Sequence, residues 1–526
     1  MLRGDGPGPA RQWSADAVVV GVLAFALGVA AAGRPSLWVD EAGTLSAATR
    51  PVDALWTLVH HVDAVHGFYY LLLRGWFEIV PVTEFWARVP SALMVGVAAA
   101  GTCVLGSRLS GRKVGIAAGV VFAVLPRTTW AAVEARPYAL SMACAVWLTV
   151  LFVAAVRRGG RRWWLGYGAA LVGAVTVNVM VVLILAGHAA MLAATRPDRR
   201  TVRAWLVTVV VASVALIPLF VVLLSQQAQI AWIWPVGPVT LGQIAGEQYF
   251  PSVYSDSVRA VGPDQQQFSA EQLRVAMSAW ARVAPLIVVI VIVAALAVRA
   301  RRRHGALIEN PSGTRVLVLG AVAWIVVPTV VLLGYSVLVR PLYQPHYLTF
   351  TTPALALLIG LCVVTLCRDD TRRLTATLAV LAVAAAPNYL AQRGPYAKYG
   401  SDYSQVAELL ARESGPRDCV VVDDRTAPSV PHAIEGARRA HPVAARDLGL
   451  APPERTALFS ARDPLGVRAD DLRTCAVLWT IGDAAPGSPA DAPVDRVARA
   501  QGFVPAERWR FNQTEVVRSV PAGARS

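Results

Sequence analysis

Nine apolar runs constrain this chain more than any other feature. They lie near residues 15–33, 86–107, 114–131, 138–156, 204–225, 282–299, 315–338, 347–366 and 374–390. Each approaches the roughly 17–25 residues that an α-helix needs to cross the hydrocarbon core of a bilayer. Backbone N–H and C=O groups find no water there, so a crossing segment must satisfy them within its own helix. A further run, 163–195, is interrupted at Asn178 and reads as two short helices in a hairpin. The expected architecture is therefore a polytopic α-helical membrane protein with about eleven transmembrane helices. Composition agrees. The 526 residues are 55% hydrophobic and 16% charged, with a mean hydropathy of +0.49, whereas a soluble domain carries roughly 25% charged residues.

The net charge of +15 does not indicate nucleic acid, because the basic residues fall in short clusters between apolar runs. If the 13-residue segment 68–80, which carries Arg74 and Glu78, does not cross, five clusters share the side of the N-terminus: Arg108/Arg112/Lys113, Arg157/Arg158/Arg161/Arg162, Arg196/Arg199/Arg200, Arg299/Arg301/Arg302/Arg303 and Arg368/Arg372/Arg373. The positive-inside rule asks for this arrangement. The chain is then expected in the plasma membrane, with a cytoplasmic N-terminus and the loops 34–85 and 226–281 outside. No clear small-residue cleavage site follows the first run, which reads as a retained helix rather than a signal peptide.

In the first outer loop, Val52, Leu55, Trp56, Val59 and Val62 recur at helical spacing, and Pro51 suits a first helical turn. Together with 68–80 they predict a shelf of amphipathic interfacial helices. Asp40 and Glu41, in SLWVDEAGTLS, open that shelf. Alone, the pair could be a polar helix flank with Asp40 as a cap, an ion or proton site, or a general base with its neighbour. The apolar runs carry no acid at mid-membrane depth, as a proton relay would.

After residue 390 hydropathy falls. DCVVVDD (418–424) and CAVLWTIGD (475–483) read as buried strands and 401–414 as a helix, predicting a small extracytoplasmic α/β domain over 391–526 beside a membrane domain over 1–390. Cys419 and Cys475 begin corresponding strands, so a disulfide is expected there, the alternative being two buried thiols. Cys103, Cys144, Cys362 and Cys367 lie in or beside apolar runs and read as small hydrophobes.

Chemistry on the outer face has no cytoplasmic nucleotide donor and needs an activated group delivered on a lipid. A lipid phosphate asks for fixed cations and hydroxyl donors. Arg136 stands at the mouth of a span, and Arg340, Tyr343, His346 and Tyr347 occupy a turn at the same level. Arginine suits phosphate through its forked donors; the plain alternative is an interfacial snorkelling residue. His60, His61, Asp63 and His66 lack a metal-ligand spacing. Trp232, Trp234, Tyr249 and Phe250 suit either stacking on sugar or prenyl chain, or interfacial anchoring.

The span followed by LWVDEAGTLS, then VHGFYYLLLRGW, ARVPSAL, EARPYAL and PHYLTFTTPALALL, resembles the GT-C superfamily of polyprenyl-phosphate-sugar-dependent glycosyltransferases. The similarity is to the branch of protein O-mannosyltransferases and lipid A aminoarabinose transferases, over roughly residues 15–390. It implies a catalytic aspartate at Asp40 with Glu41 beside it, donor-phosphate contacts at Arg136 and Tyr138, and acceptor-framing residues His66, Tyr69 and Tyr70. Many relatives read Arg-Tyr-Leu where this chain has His346-Tyr347-Leu348, so that phosphate contact passes to His346 or Arg340. The implied partners are a polyprenyl-phosphate-sugar donor, the lipid bilayer and a cell-envelope or protein hydroxyl acceptor, with mannose the expected sugar. No cofactor is required, and a divalent metal is neither needed nor excluded. A transporter or flippase is the rival reading; it asks for polar residues at mid-membrane depth or an internal repeat.

Overall fold

The computed structural model describes residues 10–251, 310–367, 370–423, 426, 429–451, 454–461, 469–483 and 493–523. The expected span 282–299, the cluster Arg299–Arg303, Arg368 and the loop 226–281 beyond residue 251 lie outside them. Among the described residues, six helices are long and apolar enough to cross a membrane: Glu84–Ser110, Tyr138–Arg158, Arg199–Ser225, Pro311–Leu338, Pro345–Cys367 and Thr371–Ala391. Ala15–Val29 and Val179–Thr195 are shorter apolar helices. The protein is a multi-pass α-helical membrane protein with a small C-terminal sheet region.

The expected count of about eleven spans exceeds this, partly because the run 114–131 is not one helix. It divides into Arg112–Val124 and Pro126–Ala131, with Leu125 at φ −59°, ψ 132° between them. A residue before proline is pushed out of the helical region, and proline then suits the first turn of the next helix. At Asn178 the expected interruption is present: its side chain accepts the Met180 N–H at 3.0 Å as the chain enters a 3₁₀ stretch, Val179–Ile184.

The described residues form two compact units, one within 10–32, 88–251 and 310–392, the other within 33–87 and 393–523. The loop 34–85 thus clusters with the C-terminal residues. In the first unit small residues let helix backbones meet closely, as expected where lipid supplies no hydrophobic drive between helices; a Cβ on Gly115 would lie 2.4 Å from the Cys103 carbonyl oxygen. His188, buried inside this bundle, has partners for both ring nitrogens. His188 stacks on Phe152 with centroids 4.5 Å apart, and its ring nitrogens lie 2.8 Å from Tyr167 Oη and 3.1 Å from Thr149 Oγ1.

In the second unit the shelf consists of helices Val39–Ala48, Val52–His61 and Gly67–Phe77. The last has 11 residues, half of what a span requires. The sheet order is β2-β1-β3-β5-β4, with β1 Cys419–Val422, β2 Arg446–Asp447, β3 Leu478–Asp483, β4 Phe503–Arg510 and β5 Thr514–Pro521. β1 runs parallel to β2 and β3, while β5 is antiparallel to β3 and β4. Cys419 pairs in register with Leu478, and a disulfide joins Cys419 to Cys475 across a Cα–Cα distance of 5.6 Å. Closing a loop of this kind contributes about 2–4 kcal/mol by restricting the unfolded chain.

His441 ties this sheet region to the end of the loop, its Nε2 lying 2.9 Å from Glu84 Oε1. The hydrogen bond to Glu84 raises the His441 pKa above its ordinary 6.5. A raised imidazole pKa adds stability that is complete below about 6.5 and disappears as pH climbs through the folded-state value. Thermal melts of the purified protein should therefore show wild type losing stability from pH 6 to pH 8 relative to His441→Gln. Equal pH dependence of the two proteins would refute the link.

Candidate active site

The acid pair sits in the first turn of Val39–Ala48, where carboxylates favour the exposed N–H groups and positive end of the helix dipole. Trp38 precedes it in an extended conformation. Glu41 is fully buried and Asp40 only partly. The two neighbours therefore differ in environment: Asp40 keeps access to solvent, while Glu41 is an enclosed charge that demands local compensation.

What holds this short helix in place comes from some 400 residues away in the same unit. Ser36 N donates to Pro395 O at 2.9 Å, Ser404 N to Ser36 Oγ at 3.0 Å and Leu37 N to Ser404 Oγ at 3.0 Å. At the other end Ser46 Oγ donates to Leu458 O at 2.6 Å, and Arg50 Nη2 reaches Ala457 O at 2.7 Å and Leu458 O at 3.1 Å. Between these straps the helix packs against Ser429–Ala440 so closely that a Cβ on Gly436 would lie 2.3 Å from Ala42 Cβ. The segment 393–402 also brings Tyr399, 4.8 Å from Trp38, and the buried cations Arg393 and Lys398. Asp402 fixes that segment against the β4–β5 turn, accepting Gln513 N at 2.6 Å and Thr514 N at 2.9 Å. Sequence reasoning missed Lys398. Its one signal is a lysine inside RGPYAKYG, a stretch with no amphipathic helix to explain it.

The expected acceptor residues lie on the third shelf helix and the turn before it. Tyr69 and Tyr70 are buried, and the Tyr70 hydroxyl donates to Asp63 Oδ2. Asp63 adopts φ 61°, and His66 Nε2 lies 3.9 Å from its other oxygen. Tyr70 thus braces the turn. His60 Nδ1 and His61 Nδ1 pair with the carbonyls of Trp56 and Thr57 at 2.7 and 2.8 Å. Among the described residues no group of three or more His, Cys, Asp or Glu is placed to hold a metal.

In the other unit, Tyr138 meets His346. Arg136 and Tyr138 flank the start of helix Tyr138–Arg158 and are both buried. The Tyr138 and His346 rings lie 5.3 Å apart and steeply inclined, and Trp130 completes the group at 5.3 Å from Tyr138 and 6.3 Å from His346. Tyr347 stands perpendicular to His346 at 4.8 Å. Arg340 is half-buried at the start of the same turn.

Beside this group is a network the sequence did not suggest. Arg127, buried in helix Pro126–Ala131, stacks 4.6 Å over Trp130, donates from Nε to Gln248 O at 2.8 Å and from Nη2 to Glu247 O. Tyr343 Oη donates to Gln248 Oε1 at 3.3 Å, and Tyr249 Oη lies 2.9 Å from Thr351 Oγ1. Desolvation pushes the Glu247 carboxyl up to about 7 against the pull of Arg127. The available signal was an arginine directly after proline inside an apparent span.

Comparison with known proteins agrees with this architecture. Residues 67–224 match the family model of dolichyl-phosphate-mannose-protein mannosyltransferase. ArnT from Cupriavidus metallidurans, in the apo state, superposes over 95% of this chain and 97% of its own with a TM-score of 0.54 at 14% identity. The chain shares its fold with ArnT. ArnT bound to undecaprenyl phosphate covers the same shares, with a TM-score of 0.51 at 12% identity. The arabinofuranosyltransferase AftD from Mycobacteria spans 100% of this chain and 40% of its own, with a TM-score of 0.46 at 16% identity. No curated protein matches the chain by sequence.

Proposed function

We propose that this GT-C-fold protein transfers a sugar, mannose first among candidates, from a polyprenyl-phosphate donor to a hydroxyl of a cell-envelope or protein acceptor. The reaction takes place on the extracytoplasmic face of the plasma membrane. The N-terminus is cytoplasmic and the C-terminal domain outside, because the basic clusters of the connecting loops then face the cytoplasm. The observation that carries the reading is the acid pair, braced at both ends, with Asp40 partly open and Glu41 enclosed. The match to a dolichyl-phosphate-mannose family and the likeness to a protein solved with undecaprenyl phosphate support a lipid-phosphate donor.

Asp40 acts as general base. Its carboxylate takes the proton of the acceptor hydroxyl as that oxygen attacks the anomeric carbon, and the anomeric C–O bond to phosphate breaks. The electron pair leaves on the polyprenyl phosphate. Arg136, with Tyr138, His346 and Arg340, stabilises that developing charge. Glu41 balances the buried charge around the base, and His66, Tyr69 and Tyr70 frame the acceptor. The step needs no cofactor.

Membranes containing the protein are incubated with polyprenyl-phosphate sugars, radiolabelled mannose first and pentoses after, together with envelope acceptors. Label should pass to an acceptor and the lipid phosphate should be released in equal amount. Failure of every lipid-phosphate sugar to donate, under conditions where a related enzyme works, would end the proposal.

A further inference from the structure

A groove of about 950 Å³ opens between helices Tyr138–Arg158, Arg161–Val177 and Arg199–Ser225, at the end of the bundle opposite Tyr138. It shares no residue with the candidate active site. Its volume lies near the top of the range of roughly 300–1,000 Å³ found for sites that enclose small ligands.

The two ends of the groove differ in chemistry. Its mouth carries Arg157, Arg158, Arg161 and Arg200. Asp198 is the one acid on the lining, and it is engaged, its Oδ1 accepting the Thr201 N–H at 2.8 Å. Further along the helices the walls are mostly glycine, alanine and valine with Trp164 and Leu165, broken by Thr201 and Thr208, and Val207 and Val211 remain 53% and 63% exposed. Only 11% of the most apolar stretch of Arg199–Ser225 is buried by protein. In water such a face would be a liability; in a bilayer it is a surface for hydrocarbon.

Two of these arginines have partners within the protein. Arg157 Nη2 donates to Arg108 O at 2.8 Å, and Arg158 lies 4.7 Å over the Trp163 ring. A cluster of cations at a helix end, continuous with a largely apolar trough that runs along the helix, complements one kind of molecule: a negative headgroup on hydrocarbon chains. Basic pockets between transmembrane helices bind anionic headgroups in this way.

We propose that this groove seats one diacyl phospholipid with an anionic headgroup, drawn from the leaflet on the arginine side. Its phosphate sits among Arg158, Arg161 and Arg200, and its acyl chains lie along Val207 and Val211. The bound lipid closes the wall of the bundle where the protein leaves Arg199–Ser225 uncovered. The inference rests on the groove alone and stands or falls separately from the sugar-transfer reading.

The test uses full-length protein in nanodiscs of equal parts dioleoyl-phosphatidylcholine and dioleoyl-phosphatidylglycerol, with retained lipids identified by native mass spectrometry. Wild type should retain phosphatidylglycerol over phosphatidylcholine. Arg161→Gln and Arg200→Gln should each lower that preference, by about fivefold per arginine at low salt. Val207→Trp with Val211→Trp, which fills the trough and leaves the charges alone, should lower retention of both lipids. Equal retention of the two lipids by wild type, an unchanged preference in the arginine variants, or undiminished retention in the tryptophan variant would each overturn the proposal. A second set of discs includes polyprenyl phosphate. Its retention in preference to phosphatidylglycerol would overturn the assignment to a diacyl lipid.

Discussion

Asp40→Asn is expected to lower sugar transfer by about 10²–10⁴-fold, the range that general-base catalysis contributes. Donor-lipid binding and the helical content of the purified protein should stay near wild type, because Asn keeps the shape of Asp and its partial exposure makes no packing demand. Glu41→Gln should behave differently. Glu41 is fully buried, so removing its charge disturbs a local balance and should cost stability more than turnover. Arg136→Ala should weaken donor binding, since a phosphate left unpaired in a partly dry site is costly. The three variants thus separate along three readouts: rate at saturating donor, melting temperature and donor affinity. Near-normal transfer by Asp40→Asn alongside its loss in Glu41→Gln would exchange the two roles. Normal transfer by both would remove the mechanism.

Much of the fold was legible because the bilayer permits so few solutions. Apolar runs that must satisfy their own backbone announce themselves, and most expected spans appear close to their sequence bounds; Tyr138–Arg158 stands where 138–156 was expected. β1 and β3 were legible for the same reason, as short apolar runs buried on both faces. β4 and β5 were not. FVPAERWR puts Glu507, Arg508 and Arg510 at exposed positions, and TEVVRSVP breaks its apolar residues with the part-buried Glu515 and Arg518, so without their partners they read as polar connection. The division of 114–131 was missed because hydropathy averages over one proline and one arginine. Pro126 and Arg127 end one helix, begin another and anchor the Glu247–Tyr249 segment.

The candidate site was legible only in its residues, not in its support. Asp40 and Glu41 draw attention because acids are out of place beside a span, and Arg136 because a cation stands at the mouth of one. Nothing near residue 40 in sequence tells that its helix is held by residues 395, 404, 457 and 458. Those contacts are to backbone carbonyls or to the serine at 404, and they leave no compositional trace. A C-terminal region that reads from sequence as an appended domain is structurally the bed of the acid helix.

The consequence of that bed is the second large effect. Gly436→Ala introduces a methyl group 2.3 Å from Ala42 Cβ and 2.5 Å from Ala42 Cα. Neither neighbour is a flexible side chain, so the helix Val39–Ala48 must move away as a body. Ala42 is two residues from Asp40 on that helix, and the displacement carries the carboxylate with it. Overpacking of this kind costs about 1–3 kcal/mol in stability, whereas a 1 Å misplacement of a reacting group costs on the order of 10²-fold in rate. Gly436→Ala should therefore lower transfer by about that factor while leaving the Cys419–Cys475 disulfide formed and the membrane helices intact. Gly166→Ala is the control, since its added methyl would find its nearest neighbour at 3.9 Å, and it should transfer as wild type. A second change separates position from mere stability: Ala42→Gly with Gly436→Ala removes the facing methyl and should restore part of the rate. Wild-type turnover in Gly436→Ala would mean that the C-terminal residues do not set the position of the acid. A rate loss that follows melting temperature alone, with no recovery in the double variant, would reduce their role to general support of the fold.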